Sequence, residues 1–388
     1  MSWPGVIERY RSFLPVTPGT PVISLGEGNT PLIPARRAGE RAGGIRIFFK
    51  YEGMNPTGSF KDRGMTLAVT KALEAGAQAI VCASTGNTAA SAAAFGARSG
   101  IGCAVILPKD SIALGKLVQA LLYGADVVAL EGSFDDAFRI MRRLVEGGRY
   151  ISVNSINPYR IEGQKTAAFE VCEQLGTFAA GRDEAPVVPA VPDYLAIPVG
   201  NGGNITAYWK GFREYRDSGF VSSLPAMLGF QAAGSAPLVH GGVIAHPQTV
   251  ATAIKIGDPA YRLGALDAAA DSGGLIDVVS DEEILSAYRF LAAEEGIFAE
   301  PASAASIAGV FKLAQDGYFR VGETVVCVLT GHGLKDPDQA FRQSTLGDPV
   351  AAEYEAVEAF LTARREAGSG TGAGAVTASA TATTATKT

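Results

Sequence analysis

Asn55-Pro56-Thr57-Gly58-Ser59-Phe60-Lys61-Asp62-Arg63-Gly64 is the stretch on which the reading of this chain turns. Pro56 and Gly58 demand a turn, Ser59 offers an N-cap, and Met65-Thr66-Leu67-Ala68-Val69 continues as a helix. Lys61 therefore falls in the first helical turn, where the positive end of the macrodipole disfavours an ammonium. A lysine so placed spends more of its time as the neutral amine that attacks carbonyls. A solvated surface lysine satisfies the same residues, so the surroundings have to decide.

Outward from this turn, short apolar runs alternate with helical patterns, which predicts parallel sheets covered on both faces. Strands are expected at 79–83, 103–107 and 127–130, with helices at 88–98, 114–123 and 135–145. A second series has strands at 194–198, 227–231, 276–279 and 324–329, and a helix from Ile205. The helix over 281–294 has Ser280 as its cap, with Glu283 completing a capping box. Two α/β units are expected, with the site between them. Residues 1–49 and 159–350 form the larger, and 50–158 form a smaller, mobile one. Residues 351–366 read as a C-terminal helix. Residues 367–388 are too poor in apolar surface to fold and read as a disordered tail. The Ala, Pro and Gly-rich stretch 177–193 reads as an inserted surface loop.

A net charge of -6 without a basic cluster leaves no footprint for nucleic acid. No apolar run reaches the length of a membrane span, and the N-terminus lacks a charged start followed by an apolar core. Cys82, Cys103, Cys172 and Cys327 show no CxxC spacing and read as buried thiols of a reducing compartment, so a cytoplasmic protein is expected. His240 and His246 lie in a Gly/Pro-rich loop without a second ligand at metal spacing, so no metal site is expected.

Three polar turns fall at the carboxyl ends of strands, where open α/β sheets bind ligands. Gly200-Asn201-Gly202-Gly203-Asn204 follows the strand 194–198 and precedes a helix, presenting backbone N–H groups to one anion. It matches neither a Walker motif nor GxGxxG, and an ordinary tight turn fits it too. Ser84-Thr85-Gly86-Asn87-Thr88 offers hydroxyls and a helix N-terminus to a carboxylate or phenolate oxygen. Thr330-Gly331-His332-Gly333 closes the strand 324–329; His332 reads as a turn-stabilising or a catalytic group. Glu300 reads as a helix-cap carboxylate or as a residue near the site.

NPTGSFKDRG, STGNT, GNGGN and TGHGLKDPD, in this order and spacing, resemble fold-type II pyridoxal-phosphate enzymes, and within them the threonine synthase family. The resemblance covers about residues 20–345. It implies two open, mostly parallel sheets of the tryptophan synthase β-like kind, flanked by helices. It also implies pyridoxal phosphate as cofactor, held by Lys61 as a Schiff base, with Phe60 against the ring and Asn87 on its 3′-oxygen. Gly200 to Asn204 would cradle the cofactor phosphate, and Thr330 would face the ring nitrogen and leave it neutral.

The stretch Asn154-Ser155-Ile156-Asn157-Pro158-Tyr159-Arg160 is similar to the segment with which that family binds substrate phosphate. Arg160 supplies a fork matched to phosphate, Ser155 and Asn154 add neutral donors, and Lys116 brings a second positive charge or merely opens a helix. For Arg160 the plainer alternative is a surface ion pair with Glu162 or Glu170. The activity implied is conversion of O-phospho-L-homoserine and water to L-threonine and phosphate, with the substrate carboxylate on Ser84, Thr85 and Thr88. A threonine or serine dehydratase and a non-catalytic ligand-binding relative are the alternatives. A homodimer is implied by the resemblance alone.

Overall fold

The structure is a computed structural model that describes residues 2–84, 86–109, 114–180, 188–344, 346 and 348–369. The chain begins with helix α1 (Val6–Arg9), strand β1 (Leu32–Pro34), α2 (Ala38–Arg41) and β2 (Arg46–Tyr51). A regular alternation then sets in: α3 (Lys61–Glu74), β3 (Ala79–Ala83), α4 (Asn87–Ser99), β4 (Gly102–Pro108), α5 (Leu114–Leu122), β5 (Asp126–Leu130), α6 (Phe134–Glu146) and β6 (Tyr150–Ser152). Helices α7 (Pro158–Gln164) and α8 (Thr166–Ala180) lead to β7 (Tyr194–Pro198), α9 (Gly203–Asp217), β8 (Ala226–Ala232), α10 (Pro237–His240) and α11 (Arg262–Ser272). Then come β9 (Leu275–Val279), α12 (Asp281–Ala293), α13 (Pro301–Gln315), β10 (Thr324–Leu329) and α14 (Pro337–Arg342). Residues from Ser344 belong to a separate unit, whose described helix is α15 (Tyr354–Ser369).

The strands form two sheets, a six-stranded one in the order β1-β2-β10-β7-β8-β9 and a four-stranded one in the order β5-β4-β3-β6. Only β1 runs antiparallel, pairing Leu32 with Lys50. The apolar runs that announced these strands have a direct cause in the packing. In β10, Val325, Cys327 and Leu329 face one core with residues of α12 and α13, while Val326 and Val328 face another with residues of α8 and α9. In β3, Ile80 and Cys82 likewise pack with α3 and α4, and Val81 and Ala83 with α6. The Ser280–Glu283 capping box is present as read.

Several readings need correction. Ser59 does not cap α3: Phe60 is the N-cap, and Ser59 lies in a backbone bridge with Gly331, its Oγ buried without a partner among the described residues. No side chain caps α3; Asp62 in its first turn reaches back to take the Thr57 N–H at 2.7 Å and the Thr57 and Ser91 hydroxyls at 2.6 Å. Residues 177–180 extend α8 rather than open a loop, and Phe178 packs on Phe48 with ring centroids 5.2 Å apart; residues 181–187 lie outside the described part. The C-terminal helix begins at Tyr354 and runs to Ser369, so 367–369 are helical, and the rest of the supposed tail is outside the described residues.

Two features fix the start of α3. It crosses α7 at a pair of glycines: a Cβ on Gly163 would stand 2.0 Å from the Arg63 carbonyl oxygen, and one on Gly64 would stand 2.7 Å from that of Arg160. Just below Lys61, Arg63 is bound to Glu52 at 2.6 Å and to Glu170 at 2.7 Å, while Lys50 holds Glu170 at 2.8 Å. All four side chains are at most 2% exposed. Burial alone would raise the Glu170 carboxyl, but Arg63 and Lys50 pull it down to about 2. Glu170→Ala leaves the buried Lys50 without its counter-charge and Arg63 with Glu52 alone, and is expected to cost about 3–5 kcal/mol, read as a lower urea midpoint. A loss below about 1 kcal/mol would mean that the cluster is not the anchor of α3.

Candidate active site

Loops from three parts of the chain meet at the carboxyl ends of the six-stranded sheet and are joined by their backbones. Phe60 N–H donates to Thr330 O at 3.0 Å, and His332 N–H to Gly58 O at 2.9 Å. Glu300 N–H donates to Gly331 O, and Gly333 N–H to Phe298 O, both at 2.9 Å. Gly58 adopts φ +87°, which turns the chain so that its carbonyl can take part. The lysine turn, the residues before α13 and the turn after β10 are therefore held in register.

Lys61 projects from this platform with Nζ 4.4 Å from the centre of the Phe60 ring. Burial pushes its amine down to about 7, the Arg160 charge adds to the effect, and Glu300 opposes it. Burial and a neighbouring cation thus join the helix dipole that the position of Lys61 in sequence predicts.

Glu300 organises the opposite side. It precedes Pro301 at the start of α13 but caps nothing with its side chain. Its carboxylate accepts from Asn87 Nδ2 at 3.0 Å and from the Thr330 hydroxyl at 3.0 Å, and it is 3% exposed. Burial lifts its carboxyl above the ordinary range, against those hydrogen bonds. Ser303 Oγ completes the group, 3.1 Å from Thr330 Oγ1 and accepting the Gly331 N–H at 3.1 Å. Asn87 and Thr330 thus come together on Glu300, which takes the second of its two sequence readings, a residue near the site, and not the helix-cap one. Lys335, to which the sequence assigns no role, donates to Thr57 O at 3.1 Å and to Gln119 of α5. His332 has the turn-stabilising role: Nδ1 accepts the Leu334 N–H at 3.2 Å, and the ring stacks with Tyr51.

Arg160 makes no surface ion pair. It is 1% exposed, and Nη1 donates to Val153 O at 2.8 Å, whereas Nε and Nη2 have no partner among the described residues. Burial pushes its guanidinium down to about 10. Glu162 pairs with Lys165 and Lys210, and Glu170 with Arg63 and Lys50. Asn154 behaves otherwise than read: Oδ1 accepts the Ala83 N–H at 3.0 Å and Nδ2 donates to Ala83 O at 3.1 Å, so the amide braces the end of β3. Ser155 Oγ lies 2.5 Å from Asn201 Nδ2. Ser84 Oγ accepts the Gly86 N–H at 3.3 Å, and Thr88 lies in the first turn of α4. Thr85 and the Lys116 side chain lie outside the described residues.

The turn after β7 is built around its glycines. Gly202 caps α9 at φ +80°, and a Cβ there would stand 2.6 Å from Tyr261 O. Gly203 lies between the Tyr261 ring and Ile161. No side chain caps this end of α9, and Asn204 Nδ2 is buried without a partner among the described residues.

A family model described as pyridoxal-phosphate-dependent enzyme matches residues 23–331, and the chain belongs to that family. It is 57% identical to the threonine synthase of Synechocystis sp. over 351 residues, 90% of this chain and 87% of that protein. It is 54% identical to the threonine synthase of Halalkalibacterium halodurans, over 92% of this chain and 97% of the relative. Among solved structures, a T.th. threonine deaminase superposes with a TM-score of 0.63 at 26% identity, over 79% of this chain and 92% of that one. A maize serine racemase, with a TM-score of 0.67 at 20% identity over 81% of this chain and 92% of that one, shares the fold.

The residues present fit pyridoxal phosphate. A half-neutral amine suits an aldehyde, and an uncapped helix start with a partnerless buried amide suits a phosphate. In the cofactor-free protein, labelling of Lys61 by an amine-selective reagent, followed by peptide mass spectrometry, is expected to rise with pH and reach half-maximum near pH 7. A midpoint near about pH 10, that of an ordinary lysine, would overturn the assignment of a desolvated amine.

Proposed function

We propose that this chain converts O-phospho-L-homoserine and water to L-threonine and phosphate, as a threonine synthase. The buried Arg160 fork carries the reading, because two of its nitrogens lack a partner among the described residues while its charge also acts on Lys61. A guanidinium taken out of water without a carboxylate is costly unless an anion completes it, and its planar fork matches phosphate. A dehydratase acting on small hydroxy amino acids has no need of a phosphate clamp beside the carboxylate site at Ser84–Thr88.

Lys61, Phe60, Asn87, Thr330 and the turn Gly200, Asn201, Gly202, Gly203, Asn204 would hold the cofactor. Bound there, pyridoxal phosphate supplies an electron sink for a carbanion beside the substrate amine. Lys61 takes the α-proton as an amine and can return it as an ammonium, a task suited to a group titrating near neutrality. Arg160, Ser155 and Lys116 steady the phosphate as it leaves, with Asn154 bracing the strand end behind them. Ser84, Thr85 and Thr88 receive the substrate carboxylate at the start of α4. Residues 50–158 close over 1–49 and 159–350, so that water adds only after phosphate has gone. The enzyme works in the cytoplasm as a homodimer, binding neither nucleic acid nor membrane. Its four buried, unpaired cysteines suit a reducing compartment, and the dimer follows the family resemblance.

Purified protein is expected to release phosphate and form threonine from O-phospho-L-homoserine; threonine deamination without phosphate release would reject the reading. The cofactor band near about 410–420 nm is expected to vanish in Lys61→Ala with the fold retained. Arg160→Ala is expected to raise KM for the phosphorylated substrate about 10–100-fold with little change in cofactor affinity. Equal loss of both would place the phosphate clamp elsewhere.

A further inference from the structure

Asn201 belongs to the turn read as the cradle of the cofactor phosphate, yet its side chain is taken up by the protein. Oδ1 accepts the Ala260 N–H at 2.6 Å, and Nδ2 donates to Ser155 Oγ at 2.5 Å. The reverse orientation of the amide would set its NH2 against the Ala260 N–H, donor facing donor, so this one is fixed. The main chain is held as well, Asn201 O accepting the Tyr261 N–H at 3.0 Å.

The consequence falls on Ser155. A hydroxyl whose oxygen accepts from an amide must turn its own O–H elsewhere. Its chain neighbours cannot share that duty. The Asn154 amide is bound to Ala83, and Asn157 caps α7 by accepting the Tyr159 N–H at 3.0 Å. That helix carries Arg160, whose Nε and Nη2 are buried without a partner among the described residues. The next residue, Ile161, comes within 3.5 Å of a Cβ placed on Gly203, which packs the Arg160 helix against the same turn.

We infer that Asn201 is a positioning residue that couples two phosphate sites: its main chain belongs to the cofactor turn, while its side chain aims the Ser155 hydroxyl as a donor to the substrate phosphate. The inference rests on the threonine synthase reading above. It deepens it by giving Asn201 a duty toward the substrate in place of a side-chain contact to the cofactor.

The decisive variant is Asn201→Asp. The new carboxylate still accepts the Ala260 N–H, so the turn keeps its fold, but it now accepts from Ser155 and draws the hydroxyl proton away from the anion. Inorganic phosphate is the probe, titrated calorimetrically into cofactor-loaded wild type, Asn201→Asp, Asn201→Ala, Ser155→Ala and the Asn201→Ala/Ser155→Ala double variant. The cofactor dissociation constant is measured separately, by absorbance on cofactor-free protein. Phosphate affinity is expected to fall about tenfold or more in each single variant, most in Asn201→Asp. The double variant is expected to match Ser155→Ala, because the residues act as one unit. KM for O-phospho-L-homoserine should rise in parallel, with cofactor affinity changed less than threefold in the uncharged variants (roughly the scatter of an uninvolved site). Unchanged phosphate affinity in Asn201→Asp, or losses that multiply in the double variant, would overturn the coupling alone. Wild type that neither binds inorganic phosphate nor turns over O-phospho-L-homoserine would overturn the threonine synthase reading as well, and this inference with it.

Discussion

Taking the Lys61 amine out of water is the constraint to which the rest of the site answers. An ammonium in that position faces the cost of burial and the repulsion of Arg160, against which stand the Glu300 carboxylate and the Phe60 ring face. An amine under such stress relaxes by moving unless its backbone is held. The cluster of Arg63, Glu52, Glu170 and Lys50 supplies the hold two residues away, with every charge matched inside the protein. Stability invested in that cluster is offset against instability one half-turn up the helix, a division between scaffold and site that catalytic lysines require.

The chemistry is arranged around anions of different kinds. The turn after β7 offers backbone N–H groups and no side-chain cap, which suits an ester phosphate that stays in place. The Arg160 pocket offers a full positive charge, which suits a phosphate that gains charge as it departs. Glu300 gathers Asn87 and Thr330. The proposed cradle and clamp and the Glu300 cluster therefore offer different groups: backbone N–H, a full positive charge and a carboxylate.

Much of the fold was legible because fully buried strands declare themselves. Residues 79–83, 194–198 and 324–329 are continuous apolar runs, and each bound agrees with the structure. By contrast, β6 is three half-buried residues ending in Ser152, and β1 ends in Pro34, so neither carries a period to read. In the site, glycines and the lysine could be found from spacing, since turn chemistry is local. The roles of Ser59, Asn154 and Glu300 could not. Each depends on a partner far along the chain: Gly331 for the first, Ala83 for the second, and Asn87 with Thr330 for the third. A short polar side chain caps, braces or binds according to what stands opposite, and its own neighbours in sequence do not say.

The glycine crossing of α3 and α7 has one further consequence. At Gly163 and Gly64 the two main chains touch with no side chain between them. The span from the base of the lysine to the base of the arginine is therefore a length of backbone, insensitive to rotamer changes. No side-chain rotation alone can lengthen or shorten that interval.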